Sequence, residues 1–458
     1  MQINITLYNF TQKVKRIAPF AVRIQKELIM KINYRNTEIS FDGGEISSNG
    51  GLLLYKVFAD RIGLKAILES HIQIDDNKVH RLHQPKECLE QQLYSIIAGY
   101  EDNNDATYLR KDKLFQSILE KDVLASQSTL CRYEASYSEE NEAELMNVNV
   151  ALIKRAHQIK ASLELVFDLD STDDEVHGKQ EGAKYNGFYG HNVYHPMFCF
   201  DGLTKDLLKA QLREGNVYTS NGVIDFIKPL LIEFKTLKLK SRGDSGFAIP
   251  ELFELYEEKD VLYYIKLKVN AVLSKLGKKY LDENQIKVAD DKPFYFEIIY
   301  GAGSWRKSRR VLCKAEYRHL ELLSQLTVSY VVTNDLTISP EDGFNFYNGR
   351  ANVENCIKEV KLDLSAGKLS LSSFISNSCR LQVFSLAYNF NNLLRRLALP
   401  GSLNKKRLIT LRTQLIKVGC RIVYHSRKTI FRLSSSFTMQ RDYIRSFENI
   451  MRLQYSYE

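Results

Sequence analysis

The stretch Tyr347-Asn-Gly-Arg350-Ala-Asn-Val-Glu354-Asn-Cys-Ile-Lys-Glu-Val-Lys361 constrains this chain more than any other. It holds no proline and few helix breakers, so a helix is expected. At about 100° per residue, Tyr347, Arg350, Glu354 and Lys361 fall at roughly 0, 300, 340 and 320°. Four polar groups of different chemistry thus share one narrow face. Val353, Ile357 and Val360 fall at roughly 240, 280 and 220°, an adjacent stripe that can meet a core. A solvated helix face, with Glu354 and Lys358 as an ordinary i,i+4 pair, is the plain alternative. A lone carboxylate flanked by two cations and a phenol suits a metal-and-phosphate site better.

Two upstream segments offer further carboxylates. In Leu165-Val-Phe-Asp168-Leu-Asp170, alternation puts Leu163, Leu165, Phe167 and Leu169 on one strand face and Val166, Asp168 and Asp170 on the other. A second short strand ends in Arg242-Gly-Asp244-Ser-Gly-Phe247, ahead of an amphipathic stretch from Ile249 to Glu257. Strand, Asp, small residue, glycine and helix is an α/β site arrangement. Three carboxylates from separate elements are what a pair of Mg²⁺ ions requires, with water and phosphate completing the coordination. Asp244, Glu354 and one of the two acids on the first strand, Asp168 or Asp170, are the expected set. Asp168 stays a rival for the first position, because it shares the strand face with Asp170.

The spacing Tyr347, Arg350, Glu354, Lys361 resembles the signature helix of bacterial DDE transposases. Further segments resemble the insertion sequence 1380 family: Asp170-Ser-Thr-Asp-Asp-Glu-Val-His177-Gly-Lys-Gln180, Tyr185-Asn-Gly-Phe-Tyr-Gly190, Arg242-Gly-Asp244-Ser-Gly-Phe247, Ala302-Gly-Ser-Trp305 and Leu386-Ala-Tyr-Asn-Phe390. The similarity runs from about Gly43 to the C-terminal end. The first 29 residues have no counterpart in it, so Met30 is an alternative start. The resemblance implies an α/β fold: a ribonuclease-H-like catalytic core interrupted by a β-strand insertion domain. A helical N-terminal DNA-binding region precedes it and a basic C-terminal region follows.

Function follows from the same resemblance. Two Mg²⁺, replaceable by Mn²⁺, are implied on Asp170, Asp244 and Glu354, with Tyr347, Arg350 and Lys361 positioning phosphates. The implied partners are double-stranded DNA, as terminal inverted repeats and target, and a second copy of the chain in a homodimer. Trp305, beside Arg306, Arg309 and Arg310, is implied to stack on a displaced nucleotide; packing under a hairpin is the alternative. Two rival functions remain: a non-catalytic DNA-binding protein, and a ribonuclease-H-like nuclease that cuts without joining.

At 458 residues the chain exceeds one compact core. Expected boundaries are a helical region 1–160, a first core part 161–258, a β insertion 259–336, a second core part 337–400 and a basic region 401–458. Ser126-Gln-Ser-Thr-Leu130-Cys-Arg132 resembles a helix start, and Arg132 is a candidate for reading DNA in a helix-turn-helix. Gly43-Gly44 and Gly50-Gly51 lack a following Gly-Lys-Ser/Thr, so no nucleotide site is expected. No apolar run nears the roughly 20 residues of a membrane span. Seven scattered cysteines with no CxxC pair fit a reducing cytoplasm. The 12 Lys and Arg after Pro400, against 3 acids, equal the whole net charge of +9. Backbone phosphate is their natural partner.

Overall fold

The computed structural model describes residues 5–7, 30–34, 37–72, 82–320 and 323–454. Most of the segment ahead of Met30 lies outside the described residues. The N-terminal part is helical: α1 (Leu52–Ile62), α2 (Leu64–His71), α3 (Pro85–Ala98), α4 (Gln127–Ala135) and α5 (Glu139–Ile159). The amphipathic stretch from Gly51 to Ser70 forms two helices rather than one. Gly63 breaks it at φ 72°, donating its N–H to the carbonyl of Asp60. The expected start at Ser126 is present: its hydroxyl accepts from the N–H of Thr129.

A mixed eight-stranded sheet follows. Its strands are β1 (Glu164–Ser171), β2 (Met197–Asp201), β3 (Leu207–Gln211), β4 (Lys238–Gly243), β5 (Leu262–Lys266), β6 (Phe294–Tyr300), β7 (Arg309–Leu320) and β8 (Leu323–Thr333). They stand in the order β3-β2-β1-β4-β5-β8-β7-β6. β1, β4 and β5 run parallel, and every other pairing is antiparallel. Residues 259–336, expected as a β-rich insertion, do supply strands, and these widen the same sheet through the β5–β8 pairing. Between them lies a helix, Ala271–Glu283, which was not expected in this strand-rich stretch although Leu273, Leu276, Tyr280 and Leu281 recur at helical spacing behind the capping Asn270.

Alternation places the β1 side chains as expected. Leu165, Phe167 and Leu169 enter one core with α6 (Val223–Glu233) and α7 (Pro250–Glu258). Leu163 precedes the strand and is 86% exposed. The opposite face of β2 and β3 joins a second core built from α1 to α5 and the long helix Phe374–Leu397. That helix is buried along nearly its whole length, so its polar residues must find partners inside. Asn389 bridges Asn149 on α5 to both backbone groups of Leu207 on β3, and Asn391 accepts from the hydroxyl of Tyr55 on α1. Among the described residues no helix is long and apolar enough to cross a membrane.

Candidate active site

Parallel β1 and β4 end side by side, and each end carries an acid. Asp170 is the penultimate residue of β1, and Asp244 directly follows β4. Between them lies Arg350, with Nη2 3.0 Å from Asp170 Oδ1 and 3.6 Å from Asp244 Oδ2. Asp170 also accepts from the N–H of Ser171 at 2.9 Å, and Asp244 from the N–H of Gly246 at 2.8 Å. The two rival acids on β1 have different surroundings. Asp168 is fully buried, and its oxygens accept from Nε and Nη2 of Arg242 at 2.6 Å each. The parallel register that sets Asp168 opposite Arg242 makes this pair. Asp168 is thereby committed to the interior, whereas Asp170 faces Arg350 and Asp244.

The stretch expected as one helix is divided. α8 (Pro340–Asn348) ends before Gly349, α9 covers Ala351–Lys358, and Glu359–Asp363 widens into a π turn. Arg242 supplies a physical reason for the first break. Its Nη1 donates to the carbonyl of Phe346 at 2.6 Å, the group an α-helix would offer to Arg350. The N–H of Arg350 bonds Tyr347 instead, at 3.0 Å, tightening the turn. A side chain at Gly349 would collide with Arg242 Nη1, so the glycine makes room for this contact. The apolar stripe behaves as expected: Val353, Ile357 and Val360 are buried.

All four signature residues border the ends of β1 and β4. Glu354 is exposed and close enough to Asp170 to raise its pKa. Burial pushes the Asp170 carboxyl up to about 6, with Asp244 and Glu354 adding to the rise and Arg350 opposing it. Burial likewise raises the phenol of half-buried Tyr347, against the pull of Arg350. Lys361 reaches back to the loop after β1, bonding the carbonyl of Asp173 and, at 3.3 Å, the hydroxyl of Thr172. Beneath it, burial pushes Asp174 up to about 7 and leaves its Oδ1 without a partner. Among the described residues no three His, Cys, Asp or Glu side chains close into a ready cation cage. As placed, the Arg350 guanidinium supplies the positive charge between two of the acids.

Residues 29–455 match the family model described as Transposase DDE domain group 1. The chain belongs to this family. Nothing matches among curated proteins. Among solved structures, a piggyBac transposase in a synaptic complex with hairpin DNA is similar at 14% identity and a TM-score of 0.39, covering 87% of this chain and 85% of that one. As a DDE transposase the chain is of the class that cuts and joins DNA, and members of that class generally use divalent metal ions.

Other residues singled out in the transposase sequence lie elsewhere. Trp305 sits in the loop between β6 and β7, half-buried, edge-on to Phe253 and Tyr300 with ring centroids 5.3 Å away in each case. Arg309 stacks on it at 5.4 Å and is bidentate to Glu257. Arg310 is spent on Glu297 and on the carbonyls of Asp335 and Ile338. Arg306 is exposed, with Glu254 at 3.4 Å, and Arg132 is exposed on α4. Sequence reading missed the buried pairs that fix the signature segment. Glu359 takes Arg395 at 3.0 Å and the N–H of Leu408, and Asp363 takes Arg407 and the N–H of Ile409. Their only sequence signal was a pair of acids at i,i+4 spacing beyond Glu354, which reads equally well as a solvated face.

Proposed function

We propose that this transposase cuts and joins DNA ends with Asp170, Asp244 and Glu354 as its catalytic carboxylates. The observation that carries this reading is the juxtaposition of Asp170 and Asp244 on one guanidinium, beside Glu354. The donor set fits divalent cations. Asp170 and Asp244 face one guanidinium, Glu354 stands near enough to raise the Asp170 carboxyl, and burial drives that carboxyl towards its neutral form. Mg²⁺, or Mn²⁺ in its place, would be held by these three residues. Bound there as a pair, it would polarise water and stabilise the leaving oxygen.

The remaining roles belong to the chain. Tyr347 and Arg350 flank the acids and suit phosphate oxygens at the cut, as charge-assisted donors do. Lys361 ties Thr172 and Asp173 down, fixing the loop that leaves β1 directly after Asp170 and Ser171. Water attacks the phosphorus at the transposon end, the bond to the 3′ oxygen breaks, and a free 3′-hydroxyl results. That hydroxyl then attacks a phosphorus of target DNA and displaces its 3′ oxygen. Asp168, locked to Arg242, acts as a positioning residue that sets β1 against β4.

Within this reading, strands β1 to β5 with α6, α7 and α9 are the ribonuclease-H-like core, and β6 to β8 extend it. The resemblance to the insertion sequence 1380 family supports terminal inverted repeats as substrate, a homodimer bridging two ends and action in a bacterial cytoplasm. An excision and strand-transfer assay on the element's own ends tests it, comparing wild type with Glu354→Gln in Mg²⁺. Loss of cutting and joining with DNA binding retained is expected. Cutting that survives the substitution would falsify the assignment of Glu354. Free cut ends without insertion products would mark a nuclease, and binding alone a non-catalytic protein.

A further inference from the structure

The C-terminal hairpin Cys420–His425 and Lys428–Leu433 has two unlike faces. Register places Cys420, Ile422, Phe431 and Leu433 on the inner face, against the helical core. The outer face carries Arg421 directly opposite Arg432, and His425 directly opposite Lys428. These four side chains are exposed, and no ion pair holds any of the three cations among the described residues. Like charges facing each other across a strand pair weaken it, and no acid on the hairpin relieves them.

The tip repeats the pattern. Ser426 and Arg427 occupy the two-residue turn at φ 49° and 63°. Asn-Gly suits that left-handed turn far better, so an arginine there is poorly matched to the turn itself. Two independent positions, the facing Arg421 and Arg432 and the turn residue Arg427, thus favour charge at the expense of the hairpin's own stability. An anionic partner that neutralises the outer face accounts for both.

We propose that the outer face of this hairpin binds the phosphate backbone of duplex DNA without reading its sequence. The proposal rests on the transposase reading and adds a contact surface to it. The spacing fits the duplex. The two cationic rows lie four residues apart, or about 13 Å at 3.3 Å per residue. The major groove of B-DNA is about 12 Å wide and admits a two-stranded ribbon. Each row therefore meets one phosphate wall. Between them stand Val423 and Ile430, opposite each other and half-buried, with no side-chain hydrogen-bonding group to read a base edge.

The test uses the full-length chain and a random-sequence duplex, with dissociation constants measured by anisotropy against salt. In a variant carrying Arg421→Gln, Arg427→Gln, Lys428→Gln and Arg432→Gln, the slope of log K against log salt should fall by about 2 to 4, since each phosphate contact contributes about 0.9. The thermal melt should stay close to wild type, and the loss should be equal on transposon ends and on random DNA. An unchanged slope overturns the proposal. So does an equal loss from Lys275→Gln, Lys278→Gln, Lys287→Gln and Lys292→Gln, which would make net charge the cause. Vesicles containing phosphatidylserine decide between anionic surfaces: binding to them that the hairpin variant loses, with its DNA slope intact, would assign the face to membrane lipid. Metal-dependent cutting by the wild type is scored on the same preparation. Cutting with no hairpin effect sinks only the hairpin, and a hairpin effect without cutting sinks only the catalytic assignment.

Discussion

Under the proposed ligand assignment, Arg350 holds the place a cation would take. Its guanidinium lies 3.0 Å from Asp170 and 3.6 Å from Asp244, so arginine and metal would compete for the same oxygens. Removing it should tighten divalent binding and weaken the metal-free fold. Arg350→Ala is expected to bind Mn²⁺ about tenfold more tightly, about 1.4 kcal/mol, as titrated by calorimetry without DNA. Its melting temperature should lie below wild type without metal and recover on adding Mn²⁺. Weaker Mn²⁺ binding would mean Arg350 orders the acids rather than competing for them.

Protons enter the same competition. The Asp170 carboxyl sits at about 6, above its ordinary value. The folded state therefore holds more protons than the unfolded one between about pH 4 and 6. Intrinsic stability from this group falls as pH rises through that window, whereas metal affinity rises. Mn²⁺ affinity should climb by up to tenfold per pH unit below about 6 and flatten above it. Asp174, pushed to about 7, lies outside the proposed ligand set and costs stability as pH rises from about 4 to 7. Asp174→Asn should raise the melting temperature at pH 8 by several degrees, on the order of 1–3 kcal/mol, and change it little at pH 5. An equal shift at both pH values would mean the charge of Asp174 is not what destabilises.

At the level of elements, the faces of the signature segment were legible and its breaks were not. Its polar face and its stripe of Val353, Ile357 and Val360 follow from periodicity alone. The break at Gly349 does not, because it depends on Arg242 arriving from β4 to take the Phe346 carbonyl. Asp168 and Asp170 were indistinguishable on their strand for the same reason: register against β4 separates them, and register is a tertiary fact. The π turn is held by Glu359 on Arg395, both buried. Glu359→Gln should cost about 3–5 kcal/mol, since it strands a buried guanidinium. Urea unfolding measures this, and a cost under about 1 kcal/mol would show the pair to be dispensable. Trp305, edge-on to two aromatic rings under Arg309, should also matter to folding. Trp305→Ala is expected to lose about 2–4 kcal/mol. A variant that melts like wild type but cannot cut would return Trp305 to the role of stacking on a base.

Across the whole molecule the residues after Pro400 are joined to the helices that begin at Leu52, and this was the least legible feature. The residues after Pro400 read as a basic tail because their charge dominates their composition. Their apolar minority decides where they go. Leu408, Leu411, Leu415, Ile416, Cys420 and Ile450 are all fully buried in the core that α1 to α5 build. Cys420 pairs with Ser47, Arg61 on α1 bonds the carbonyl of Leu453, and Arg412 bonds the carbonyls of Ile96 and Ile97 on α3. No local periodicity announces contacts more than 300 residues apart in sequence. The basic region is therefore part of the helical body and cannot be removed as a tail would be. A chain ending after Gly419 loses the hairpin and the final helix, Gln440–Arg452, and uncovers α1. It should melt at least 10 °C below the full chain or accumulate insoluble, because several buried apolar side chains at roughly 1.5–3 kcal/mol each go with it. A truncated chain with an unshifted melt and weakened DNA binding would instead make these residues an appended module, and the shared core would be the part of this structure to abandon.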